Sequence, residues 1–88
     1  MKLMIIVLAD EDAEGALKAL LDAEYRVTRL ASTGGFFRRG NTTLMIGTDD
    51  DRVERALDVI RRAVQTPGAE ERRRATVFVL NLADFQQV

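Results

Sequence analysis

Shifted against itself by 40 residues, the chain lays Asp10 on Asp50, Ala13 on Val53, Ala16-Leu17 on Ala56-Leu57 and Leu20 on Ile60. This internal echo constrains the fold more than any other feature. A helical stripe repeated at one spacing, each copy preceded by an apolar run, calls for two equivalent strand–helix–strand units around a shared core. The echo ends after the second stripe, where Gln65 to Arg74 intervene before the last apolar segment.

The elements follow from periodicity. Leu3 to Leu8 is a continuous apolar run, as expected of a central strand covered on both faces. Asp10, Glu11 and Asp12 supply N-cap candidates and favourable charge for a helix start. Ala13, Ala16, Leu17, Leu20 and Leu21 then recur at helical spacing, with Glu14, Lys18, Asp22 and Glu24 on the other face. Tyr25 to Leu30 alternates and predicts a second strand, Thr42 to Ile46 a third. Asp49, Asp50 and Asp51 open a second helix with the stripe Val53, Ala56, Leu57, Ile60, Ala63 and Val64, closed by Thr66-Pro67-Gly68. Ala75 to Leu80 is the fourth strand. Two βαβ units in this order predict a ferredoxin-like α+β sandwich: one βαββαβ domain over residues 1–88, its four-stranded antiparallel sheet carrying both helices on one face.

The chain has 88 residues, so that fold is left short of buried surface, and the usual reinforcements are disulfides, a metal or self-association. There is no cysteine and no histidine, which excludes disulfides and zinc–thiolate sites and removes the commonest metal ligand and general base. Self-association remains. The first and fourth strands are apolar at consecutive positions, yet helices cover one sheet face only. The other face predicts a homo-oligomer, with a ligand site between subunits. A net charge of −1 predicts neither nucleic-acid nor membrane partners, and the run from Leu3 to Ala9 is far too short to span a bilayer. Asp10-Glu11-Asp12 stands where a signal-peptide cleavage site would need small residues, so a cytoplasmic protein is expected.

The chemistry concentrates in Ala31 to Thr43. Gly34 and Gly35 allow close backbone approach to phosphate oxygens, Phe36 and Phe37 offer faces on which a base can stack, and Arg38 and Arg39 bring positive charge. From Arg26 to Thr48 four arginines stand without one Asp or Glu, which favours an anion. A hairpin whose phenylalanines cap the core or fill a subunit interface is the plain alternative. The acidic triplets sit at helix starts, where the dipole explains them without a metal, and Arg72-Arg73-Arg74 reads as a solvated loop.

Arg26-Val27-Thr28-Arg29-Leu30-Ala31-Ser32-Thr33-Gly34-Gly35-Phe36, continuing through Gly40-Asn41-Thr42-Thr43 to Gly47, closely resembles the signature of the PII-like cyclic di-AMP receptors, and Ala75 to Leu80 resembles that family's last strand. The resemblance implies a non-enzymatic signal-transduction protein, a PII-like homotrimer holding cyclic di-AMP in clefts between subunits, with no cofactor and a downstream protein partner that the sequence does not name. Carried over by position, Arg26 and Thr28 on the second strand address phosphate and ribose. Gly35, Phe36 and Phe37 wrap an adenine, with Phe36 as the stacking ring, while Asn41 hydrogen-bonds the base and Gly47 admits the ligand closely. Phe78 and Gln87 complete the pocket from the other side of the cleft. The chain departs from the family pattern in its short loop from Gln65 to Arg74, in Phe37 where an aliphatic residue is usual, and in Arg39 where a small one is. A trimeric sensor of ATP or ADP and a structural interaction module are the competing expectations.

Overall fold

Along the first strand, β1 (Lys2–Ala9), Met4, Ile6 and Leu8 are lost to solvent while Leu3, Ile5 and Val7 between them stay half-buried. That two-residue period assigns the even positions to a core and the odd ones to a face with less cover. A computed structural model of the chain describes residues 1–30, 40–64, 75–83 and 86. After β1 come helix α1 (Asp10–Asp22), β2 (Val27–Leu30), β3 (Asn41–Thr48), a 3-10 turn (Asp50–Arg52), helix α2 (Val53–Ala63) and β4 (Ala75–Asn81). The sheet order is β2-β3-β1-β4 with every pair antiparallel, which is the expected ferredoxin-like arrangement. No helix among the described residues is long and apolar enough to cross a membrane.

The core lies between the sheet and the two helices. Met4, Ile6 and Leu8 of β1 and Leu44 and Ile46 of β3 meet Ala13, Ala16 and Leu20 of α1 and Ala56 and Ile60 of α2, with Val64 and Tyr25 closing its ends. Each fully buried Leu, Ile or Met contributes about 1.5–3 kcal/mol relative to exposure. Alanines at Ala13, Ala16 and Ala56 let α1 and α2 lie close on the sheet, and the helices also pack on each other.

Several local expectations need correcting. The N-cap of α1 is Ala9, with no side-chain capping bond, and Asp10 is already helical. The backbone N–H of Asp10 donates to the Gly40 carbonyl at 2.8 Å, which draws Asp10 into the turn. Asp49 likewise precedes the 3-10 turn without a side-chain cap. Leu21 is 52% exposed, because Ala13, Ala16 and Leu20 form the buried stripe and Leu21 falls beyond its edge. Tyr25 and Arg26 are not in a strand: α1 ends in a Schellman-type turn, with Glu24 left-handed at φ 69° and the Tyr25 N–H bonded to the Leu20 carbonyl at 3.0 Å. That turn sends Tyr25 into the core and delays the strand to Val27. The predicted helix stop at Thr66-Pro67-Gly68 lies outside the described residues.

The Tyr25 hydroxyl donates to the Arg52 carbonyl at 2.8 Å, and the Arg52 guanidinium lies 4.3 Å from the centre of the Tyr25 ring. Arg52 also donates to the Ala23 carbonyl at 3.0 Å. The end of α1 is thereby tied to the turn that leads into α2.

Candidate functional site

Strand β3 is the spine on which the described candidates are placed. Its even residues Thr42, Leu44, Ile46 and Thr48 are buried on the helix side, so Asn41, Thr43, Met45 and Gly47 belong to the opposite face. Asn41 opens the strand and Gly47 lies near its far end, roughly 20 Å away at the usual rise per residue. Thr28 pairs with Met45 and shares that face. Val27 pairs with Ile46, so Arg26, just ahead of the strand and exposed, stands level with Gly47.

Phe78 pairs with Ile5, Ile5 with Met45, and Met45 with Thr28, which makes one continuous row across the sheet. Thr28 and Phe78 therefore occupy the same face at opposite edges, three strand spacings or roughly 14 Å apart. Arg26, Thr28 and Gly47 come together, Asn41 stands at the other end of β3, and Phe78 stands at the other edge. Gly35, Phe36, Phe37 and Gln87 lie outside the described residues, as do Arg39 and the segment from Gln65 to Arg74.

The face carrying these residues is apolar along its middle and at the β4 edge. Leu3, Ile5 and Val7 are half-buried, and Phe78 and Leu80 are 54% and 46% exposed. The charge is less concentrated than the sequence suggests. Arg29 pairs with Leu44 on the helix side and forms an ion pair with Glu14 of α1, so its charge is not directed to an anion on the open face. Thr43 is buried on the Asn41 face, and its hydroxyl finds no hydrogen-bond partner among the described residues. Among the described residues no three acidic side chains converge to hold a metal ion.

Sequence reasoning missed the role of Asp10. Its Oδ1 accepts a hydrogen bond from the Thr42 hydroxyl, while its N–H holds the Gly40 carbonyl, so the two bonds bracket Asn41. Gly40 has φ 87°, a left-handed conformation that suits glycine. No spacing signals a contact between residues 32 positions apart, and a carboxylate at a helix start has a ready explanation as a cap.

The arrangement has counterparts among known proteins. A solved structure described as "the crystal structure of a functionally unknown protein from Pediococcus pentosaceus ATCC 25745" matches with a TM-score of 0.77 and 35% identity, covering 99% of this chain and 96% of that one. The family described as "Cyclic-di-AMP receptor" matches residues 1–70, from β1 through α2 and short of β4. With that match over most of its length, including Arg26, Thr28, Asn41 and Gly47, the chain belongs to the cyclic-di-AMP receptor family.

Proposed function

We propose that this chain is a non-enzymatic signal-transduction protein that binds cyclic di-AMP as a homotrimer, with each dinucleotide held between two subunits. Family membership supplies the ligand class. The observation that carries the assembly is the row from Thr28 to Phe78: two residues assigned to one pocket lie on one face at opposite edges of the sheet. They close on one ligand when the β4 edge of one copy meets the β2 edge of the next. Such a contact is head-to-tail, and repeated with closure it makes a ring. The half-buried Leu3, Ile5 and Val7 and the exposed Phe78 and Leu80 give that contact apolar area to bury.

In this reading Arg26 and Thr28 take phosphate and ribose, with Gly47 beside them, and Asn41 hydrogen-bonds a base. Gly35, Phe36 and Phe37 wrap the adenine, and Phe78 and Gln87 come from the neighbouring subunit. Contacts that the ligand makes in one state of the assembly and not in another shift the population that a downstream protein reads. A cytoplasmic location accords with a ligand of this kind.

Calorimetric titration with cyclic di-AMP, with ATP and cyclic di-GMP as controls, tests the reading. One site per chain and selectivity for cyclic di-AMP is the expected result, and Phe36→Ala is expected to weaken binding by about 1–3 kcal/mol, the range for one base–aromatic stack. Preferential binding of ATP would replace the ligand assignment, and undiminished affinity in Phe36→Ala would remove the stacking ring.

A further inference from the structure

We infer that Asp10 is a positioning residue for nucleotide recognition, acting through Asn41 without touching the ligand; the inference rests on the receptor reading and on the role given there to Asn41. Asp10 begins α1 and would ordinarily serve the helix terminus, yet the N-cap position belongs to Ala9. Its two bonds go instead to the start of β3. The backbone N–H holds the Gly40 carbonyl at 2.8 Å, and the carboxylate accepts from the Thr42 hydroxyl. Both are fixed from the helix side of the sheet, where Thr42 is 6% exposed.

Asn41, between the two held residues, is on the opposite face. The bracket therefore sets the backbone of Asn41 without occupying its side chain. Asn41 also pairs with Ala9, the residue before Asp10, so the end of β1 and the first turn of α1 jointly fix where the amide stands. At Gly40 no described atom would obstruct an added Cβ within 4 Å, so the left-handed φ of 87°, rather than lack of space, makes glycine fit this turn. An amide that must meet a base edge gains from being held before the ligand arrives, because less freedom is then lost on binding.

Removal of the carboxylate is expected to weaken binding modestly and only while Asn41 is present. Asp10→Ala should raise the Kd for cyclic di-AMP by about three- to tenfold, the scale set by one hydrogen bond. Asp10→Asn, which keeps an acceptor oxygen but loses the charge, should stay within about twofold, which separates the bond from the helix dipole. Thr42→Val should reproduce the loss from the other end of the same bond, and Thr42→Ser should restore it. In an Asn41→Ala background Asp10→Ala should have no further effect on Kd, although its effect on melting temperature should persist. A purely structural role would add the two losses instead.

Calorimetry on these variants, each checked for folding by circular dichroism, decides the matter, with Thr42→Val serving if Asp10→Ala does not fold. Wild-type binding with an unchanged Kd in both Asp10→Ala and Thr42→Val, or an equal further loss in the Asn41→Ala background, overturns the positioning role and leaves the receptor reading standing. Absence of cyclic di-AMP binding by the wild type overturns the receptor reading and this inference with it.

Discussion

Tyr25 shows how one side chain can serve two parts of the fold at once. Its ring fills the end of the core, its hydroxyl donates to the Arg52 carbonyl, and its face carries the Arg52 guanidinium. Tyr25→Phe keeps the ring and the cation contact and loses the one hydrogen bond, leaving the Arg52 carbonyl without it. The expected cost is about 0.5–1.5 kcal/mol of stability, read as a lower urea midpoint, with cyclic di-AMP affinity unchanged because Tyr25 lies on the helix side. A change in affinity would mean that the Arg52 turn communicates with the site. Arg29 makes the complementary point. In the sequence it belongs to a basic stretch suited to an anion, but alternation along β2 places it with Val27 on the helix side, where Glu14 holds it.

The end of α1 is the element whose geometry sits least easily with its sequence. Glu24 adopts a left-handed conformation that favours glycine, so strain of about 1–2 kcal/mol is built into the connection to β2. Glu24→Gly should relieve it and, after the entropy that glycine adds to the unfolded chain, raise stability by about 0.5–1 kcal/mol in chemical denaturation. A lower midpoint would show that the Glu24 side chain stabilises the turn more than its backbone strains it. The elements themselves were legible because β1 is a short unbroken apolar run whereas the apolar residues of α1 and α2 recur about every 3.6 positions. Their ends were not. The acidic triplets suggest side-chain caps, but Asp10 is bonded from outside its helix by Gly40 and Thr42, and such bonds leave no local pattern, while Asp49 leads into a 3-10 turn before α2 begins. The strand expected at Tyr25 begins only at Val27 for the same reason, since a buried aromatic ring and a helix cap outweigh alternation. At the site, period alone puts Asn41 and Gly47 on one face of β3, whereas bringing Thr28 onto that face depends on the β2–β3 register, which no local pattern carries, and the distance from Thr28 to Phe78 follows from the strand order of the ferredoxin-like arrangement.

At the scale of the whole molecule, an antiparallel sheet with helices on one side has to find a use for its other side. Here that side holds Leu3, Ile5, Met45, Phe78 and Leu80 beside Thr28 and Gly47, so the surface suited to association and the surface assigned to the ligand are continuous. A site shared between copies makes a prediction that a site within one chain does not. Thr28→Val and Phe78→Ala should each weaken cyclic di-AMP binding when assembled alone, because each removes one side of every cleft. When the two variants are unfolded and refolded together, each mixed ring acquires one cleft with an intact Thr28 from one subunit and an intact Phe78 from its neighbour. The account predicts that the mixture regains wild-type affinity at a minority of its sites in a calorimetric titration. Mixed assemblies that bind no better than the separate variants would place both residues in the same chain's site and contradict it.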